Sequence, residues 1–254
     1  MKIYIINLLK ATERRIFQEQ QMQTLGLIDN VEFLEAISVD NLENIHPNLL
    51  MGWERPLRLA ELACYQSHLH AWQKVLNTQT PALILEDDAL LASNIKDLLD
   101  TLENIKHYNY ITLETRNRKK LLGKAVPLTN NYSISRLYQD RTGAAAYILY
   151  PLGAKILVDK AEKTSPALAD AFISSTYELN AYQIEPAAAI QIDQCENYNI
   201  LAPISVYSFI STENKNSKKS FLRRRLIAQL KIAKRFLQKI LCSNRRYVSL
   251  SSNF

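Results

Sequence analysis

A mixed α/β sheet flanked by helices is the fold class this sequence predicts, and three observations predict it. Short apolar runs of strand length, such as Lys2–Ile6, Ala82–Leu85 and Gly143–Tyr150, alternate with longer stretches of helical apolar spacing. The chain has 254 residues, 47% hydrophobic and 22% charged, which suits one domain of about 200 residues with an appendage and excludes a disordered or collagen-like chain. The charge then divides it. All 25 Asp and Glu lie at or before Glu213, against 19 Lys and Arg, while the remaining residues carry 12 Lys and Arg and no acid. An acidic body with a basic tail is two functional pieces, so the sequence divides into 1–206, an α/β body, and 207–254, a linker with a basic tail.

In chain order, Lys2–Ile6 reads as a buried strand and Thr12 to Leu25 as a helix that Gly26 ends. Val31–Ile37 reads as a strand, and Asn41–Pro56, with Pro47, Gly52 and Pro56, as loop. Leu59–Leu76 is the clearest helix, because Leu59, Leu62, Leu69, Trp72 and Leu76 recur at multiples of three or four. Pro81 stops it, and Ala82-Leu83-Ile84-Leu85 forms a strand running into Glu86-Asp87-Asp88. A helix over Ile95–Ile105, a strand over Tyr108–Leu113 and a hairpin over Leu121–Leu137, turning at Asn130-Asn131, follow. Gly143–Tyr150 is apolar, and Pro151 opens a helix to about Lys160. Tyr207–Lys219 is polar linker. Beyond it Leu222, Leu226, Leu230, Ala233, Leu237 and Leu241 step at helical spacing among basic residues, a basic amphipathic helix.

Several classes are excluded. No G-x-G-x-x-G and no G-x-x-x-x-G-K-[ST] occurs, which removes the usual glycine-built phosphate cradles. Cys64, Cys195 and Cys242 are odd in number with no C-x-x-C, so neither a disulfide framework nor a structural zinc site is expected. The N-terminal apolar run is too short for a signal segment or a membrane span, and a cytoplasmic location is expected.

Three segments carry chemistry. Glu86-Asp87-Asp88 stands at the C-terminal end of an apolar strand, where open α/β sheets bind ligands, and hard carboxylate oxygens suit Mg²⁺ or Mn²⁺ shared with phosphate. Ile6-Asn7-Leu8 followed by Thr12-Glu13-Arg14-Arg15 places two guanidinium groups just after the first strand, a natural nucleotide site. Ser67-His68-Leu69-His70-Ala71-Trp72 lies on the long helix, where His68 and His70 point to opposite sides and cannot share one ion. The plain structural alternatives are a solvated acidic loop, an exposed first turn and a core histidine.

Taken together, I-N-L with E-R-R, S-H-L-x-A-W and L-I-L-E-D-D resemble glycosyltransferase family 25, the lipooligosaccharide galactosyl- and glucosyltransferases related to collagen galactosyltransferases. Thr142-Gly143-Ala144-Ala145-Ala146-Tyr147-Ile148-Leu149 followed by Gly153-Ala154-Lys155 resembles a further motif of that family. Ala60 departs from it, standing where the family usually has Gly.

The resemblance implies a GT-A-type fold and inverting transfer of a hexose, with UDP-galactose the expected donor and UDP-glucose the alternative. By that analogy Asp88 holds the divalent metal, Mn²⁺ or Mg²⁺, while Glu86 or Asp87 faces ribose or donor sugar. Asn7, Leu8, Arg14, Arg15 and His68 complete the donor site. Inversion needs a carboxylate base. Asp170, in Pro166-Ala167-Leu168-Ala169-Asp170, resembles that position, its alternative reading being a helix N-cap, with Glu114 and Glu178 in reserve. The acceptor implied is a bacterial lipooligosaccharide, and the basic tail, residues 215–246, is expected to lie on the anionic inner face of the inner membrane, with nucleic acid not expected as a partner. A receiver-like signalling domain and a non-catalytic membrane- or nucleic-acid-binding adaptor are the rival classes.

Overall fold

The computed structural model describes residues 1–42, 46–105, 107–140, 143–205 and 221–254. Its strands and helices run in the order β1 (Lys2–Asn7), α1 (Thr12–Thr24), β2 (Val31–Glu35), α2 (Pro47–Leu50), α3 (Leu59–Thr78), β3 (Ala82–Glu86), β4 (Ala89–Leu91), α4 (Ile95–Glu103), β5 (Tyr110–Thr112), β6 (Lys120–Pro127), β7 (Ser133–Gln139), β8 (Ala146–Leu149), α5 (Pro151–Lys163), α6 (Ala169–Ser174), β9 (Ala181–Glu185), β10 (Ala189–Gln191), α7 (Leu222–Lys239) and β11 (Asn244–Arg246). Nine strands form one sheet in the order β11-β6-β7-β9-β5-β8-β3-β1-β2, and β4 pairs with β10 separately. The sheet is mixed: β1 is parallel to β2 and β3, whereas β8 is antiparallel to both β3 and β5. The predicted architecture, a mixed sheet with helices on it and a basic helix near the C-terminus, is the one observed.

The pleat explains the continuous apolar runs. Ile3, Ile5, Leu83, Leu85 and Ile148 point to one face, where α4 supplies Ile95, Leu98, Leu99 and Leu102. Tyr4, Ile84, Tyr147 and Leu149 point to the other, where Leu62 and Trp72 of α3 and Phe172 of α6 meet them. Strands buried on both faces read as uninterrupted hydrophobic sequence. Each such fully buried Leu or Ile stabilises the fold by about 1.5–3 kcal/mol relative to exposure.

Three features depart from the sequence reading. The expected loop Asn41–Pro56 contains a one-turn helix, α2, with Pro47 at its first position, where a missing N–H costs nothing. Asp170 is not an N-cap: Leu168 holds that position, and Asp170 is the second residue of α6. The basic tail is not one appendage. β11 pairs antiparallel with β6, the Ala187 N–H donates to the Ser249 carbonyl at 2.7 Å, and the Ser93 N–H donates to the Asn253 carbonyl at 2.7 Å. Val248 and Ser251 are buried, so residues 244–254 belong to the body although their charge groups them with α7. The predicted linker Tyr207–Lys219 and the start of the Thr142 motif lie outside the described residues.

Candidate active site

Strand register assembles the site. β1 and β3 are parallel, with Ile6 opposite Glu86, so Asn7 and the acidic triplet leave the sheet at one edge. On the other side of β3, Leu85 faces Ala146 of β8, and the Glu86 N–H donates to the Ala145 carbonyl at 2.8 Å. β5 delivers Glu114 to the same edge through its pairing with β8.

The three carboxylates have different partners. Asp87 accepts from Asn7 Nδ2 at 2.8 Å and from Arg14 at 2.8 Å. Glu86 accepts from His68 Nε2 through Oε1 at 3.1 Å and from Gln191 Nε2 through Oε2 at 2.9 Å. Among the described residues the Asp88 carboxylate has a long bond from Gln191, 3.3 Å, and the Arg14 guanidinium at 3.8 Å. Electrostatics follow this division. Burial works to raise Glu86, but His68, Arg116 and Arg14 bring it below its ordinary value. Burial raises Asp87 against the opposing pull of Arg14 and Asn7. Asp88 is pushed up to about 7 by burial and by the repulsion of Glu86, only partly offset by Arg14. A buried carboxylate beside two others, with few donors of its own, is an electrostatic vacancy for a cation.

His68 is oriented from behind. Trp72 Nε1 donates to Tyr147 Oη at 2.8 Å, so the Tyr147 proton is left to bond His68 Nδ1, 2.9 Å away. That assigns the remaining ring proton to Nε2, facing Glu86. Burial holds the Tyr147 hydroxyl well above its usual range, so it stays a donor. The ligand atoms of Cys64, His68 and Glu86 lie within 4.8 Å of one another. However, the His68 nitrogen already serves Glu86, and burial pushes the Cys64 thiol well up, away from the thiolate a metal would need.

Glu114 is 1% exposed. Its Oε1 accepts the Ala145 N–H at 2.9 Å, while Oε2 has no partner among the described residues. Burial drives its pKa up to about 8, against the opposing charge of Lys120. Gly143, at φ +107°, makes room for it: a Cβ there would stand 2.6 Å from Glu114 Cδ.

Asp170 lines a surface pocket with Tyr110, Asp140, Gly143, Tyr177 and Arg235. One of its oxygens accepts the Ala171 N–H at 2.7 Å. Burial and the nearby Glu86 raise its pKa, making it a stronger proton acceptor than a surface carboxylate.

Of the residues singled out from sequence, the structure brings Asn7, Arg14, His68, Glu86, Asp87 and Asp88 into one bonded group. Leu8 contributes its carbonyl to the turn entering α1, accepting the Ala11 N–H at 2.8 Å. Arg15 points elsewhere, paired with Glu19 at 2.9 Å and stacked on Phe33. Glu178 is exposed in the turn that follows α6 and is not part of this group. Sequence reasoning missed Gln191 and Arg116. Arg116 holds the Gln191 amide and bonds Asp193 at 3.0 Å, while Gln191 links Glu86 to Asp88. Nothing marks a glutamine 105 residues from its partner. Tyr147 lay inside a recognised motif, but only the fold shows that its hydroxyl sets the His68 ring.

The family model for glycosyltransferase family 25 (LPS biosynthesis protein) matches residues 1–173. The lipooligosaccharide biosynthesis protein lic2B of Haemophilus influenzae is 28% identical over 259 aligned residues, covering 93% of each chain. A glycosyltransferase 25 family member of Aedes aegypti is 29% identical over 178 residues, 62% of this chain, and this chain spans 28% of that protein's length. A crystal structure of an active-site mutant of LgtC aligns over 88% of this chain and 82% of its own, at 12% identity and a TM-score of 0.40. With well over half of its length matched by the family model, and with the motif residues gathered at one sheet edge, the chain belongs to glycosyltransferase family 25.

Proposed function

We propose that this protein transfers a hexose, galactose foremost, from a UDP-sugar to a bacterial lipooligosaccharide with inversion at the anomeric carbon. The observation that carries the reading is the unequal bonding of the acidic triplet. Asp87 and Glu86 are engaged by protein donors, which leaves Asp88 to meet a ligand. Its buried, hard oxygen donor fits a divalent ion of the Mg²⁺ or Mn²⁺ type. Such an ion, when bound, would neutralise charge on the departing nucleoside diphosphate.

The chain's own residues do the rest. Arg14, placed by α1 over Asp87 and Asp88, adds positive charge where the diphosphate must sit. Glu86, fixed by His68 and Gln191, presents a set carboxylate to donor hydroxyls. Asp170 takes the proton of the acceptor hydroxyl as its oxygen bonds to the anomeric carbon and the bond to the diphosphate breaks. Glu114 is the poorer candidate for base, because it is sealed behind Gly143.

The lipid-linked acceptor gives α7 a role. Three of its arginines face the body: Arg224 bonds the carbonyls of Met51 and Trp53, Arg225 that of Glu54, and Arg235 that of Tyr138. Its apolar stripe faces away, with Leu226 61%, Leu230 60% and Leu237 69% exposed. An outward leucine stripe on a helix rich in Lys and Arg supports attachment to an anionic membrane surface, each cation near the bilayer adding about 1 kcal/mol. No helix among the described residues is long and apolar enough to cross a membrane.

The test is a panel of UDP-sugars offered with truncated lipooligosaccharide acceptors, with the product linkage read by NMR. Transfer of galactose with inversion supports the reading, and release of no UDP from any UDP-sugar defeats it.

A further inference from the structure

The cavity holding Asp170 is polarised, and the polarity comes from two parts of the chain with different sequence character. Its wall carries Asp170 and Asp140, the latter tied to the buried Lys120 at 2.7 Å. The same wall carries Arg235, which belongs to α7 and not to the acidic body. The Arg235 guanidinium lies 5.1 Å from the centre of the Tyr177 ring, and its Nε donates to the Tyr138 carbonyl at 3.3 Å. Its two terminal nitrogens have no acceptor among the described residues. The Lys239 ammonium sits over the Tyr138 ring nearby, 5.4 Å from its centre, and the Arg136 guanidinium lies over Tyr182.

A planar guanidinium over an aromatic ring, with its two terminal nitrogens left for a ligand, is arranged to bind a carboxylate or phosphate bidentately. Arg235 and Asp170 line the same pocket. Tyrosine rings and carboxylates along its wall suit a saccharide, which offers apolar ring faces and hydroxyl donors. The donor diphosphate is accounted for elsewhere, at Arg14 and Asp88 on the far side of β8 and β3.

We infer that this cavity is the acceptor subsite, and that it selects an acceptor saccharide bearing an anionic group, phosphate or carboxylate, which Arg235 binds while the reacting hydroxyl reaches Asp170. The inference rests on the transferase reading above and deepens it. Because Arg235 rides on α7, the helix whose other face carries the exposed leucines, recognition of a membrane-borne acceptor and contact with the membrane reside in one element. Met51, Trp53 and Tyr138, carbonyl partners of its arginines, pin that helix to the body.

The experiment compares one oligosaccharide acceptor in three forms, neutral, phosphorylated and carboxylated, with full-length wild type and Arg235→Gln. Wild type is expected to favour at least one charged form over the neutral form about tenfold or more in kcat/KM, through KM. Arg235→Gln is expected to raise KM for that form to the level of the neutral one, with kcat little changed. The phosphate and carboxylate arms identify which anion is read. Absence of any charge preference in wild type, or a loss in Arg235→Gln equal for all three acceptors, overturns the inference. Acceptor-free UDP release by wild type separates this failure from that of the transferase reading. Saturation-transfer NMR of the three saccharides decides the subsite even where turnover is silent: stronger binding of a charged form, lost in Arg235→Gln, supports it, and equal binding of all three overturns it.

Discussion

His68 Nε2 lies 3.1 Å from Glu86 Oε1, and the hydrogen bond has a fixed direction because Tyr147 occupies the other ring nitrogen. The first residue of the acidic triplet is thus oriented by a chain of donors running from Trp72 through Tyr147 and His68. All three of these side chains are fully buried, and α3 and β8 hold them on the face of the sheet opposite α4. The link costs nothing in unsatisfied groups and makes the position of Glu86 depend on a tyrosine hydroxyl that no substrate touches.

Tyr147→Phe therefore strands the Trp72 N–H and the His68 Nδ1 together. Leaving such buried groups unpaired costs about 1–3 kcal/mol, and for a chain of this size each kcal/mol lowers Tm by about 2–4 °C. Calorimetry should show that loss, and kcat should fall with it as Glu86 loses its set position. An unchanged Tm with unchanged kcat would show that the chain of donors is idle.

Asp170→Asn keeps the shape of the cavity wall and removes the proton acceptor. Transfer should fall by at least about 10²-fold while UDP affinity, measured by calorimetric titration, changes little, because a base acts mainly in the transition state. Near-wild-type turnover would move the role to Glu114.

Glu114 predicts a pH dependence of stability. Its folded pKa, about 8, is above its ordinary value, so the folded state keeps a proton that the unfolded state releases. Its contribution is fully present below the ordinary carboxylate pKa and is lost as pH rises toward about 8. Glu114→Gln keeps an acceptor for the Ala145 N–H and cannot ionise, so Tm plotted against pH should be flatter than in wild type from about pH 5 to 8. Parallel profiles would place the ionisation elsewhere. Gly143→Ala tests the same packing by steric means, and should lower Tm, since its Cβ meets Glu114 in a conformation unfavourable to any side chain.

The return of residues 244–254 to the sheet changes how the membrane reading must be tested. Deleting everything after residue 213 would strip β11 from β6 and uncover the buried Val248, so instability would follow whatever α7 does. Leu226→Asp with Leu230→Asp leaves the body intact. Sedimentation with anionic vesicles should fall about tenfold or more, as each buried Leu is worth about 1.5–3 kcal/mol. Binding by wild type should weaken as salt rises. A marked fall in Tm, with wild type indifferent to vesicles, would make the stripe a packing surface.

Much of the fold was legible because its signals are local. Apolar runs bounded by Pro and Gly located β1, β3, β8 and the helices between them, and the spacing of Leu62, Leu69 and Trp72 located α3. The acidic triplet was legible because it sits at the end of one such run. What stayed hidden depends on pairing across the chain. Gln191 reaches Glu86 only because β10 joins β4, and Arg116 reaches Gln191 only through that pairing. The charge count grouped β11 with α7, although Arg246 of β11 bonds Glu185 of the sheet at 2.6 Å. Net charge reports solvent-facing composition, and hydrogen bonding to an edge strand leaves no mark in it. Arg14 and Arg15 are adjacent in sequence, yet the helical turn sends one to Asp87 and the other to solvent.

Asp88, the least engaged of the three acids, is the residue we propose to meet the divalent ion that serves the donor diphosphate. The most direct measurement is UDP release from a UDP-sugar, with acceptor present, for wild type in Mn²⁺, wild type in EDTA, and Asp88→Asn in Mn²⁺. A fall in kcat/KM of at least about 10²-fold, roughly 2.7 kcal/mol, is expected in both the second and the third. Full activity in EDTA together with full activity in Asp88→Asn would contradict it.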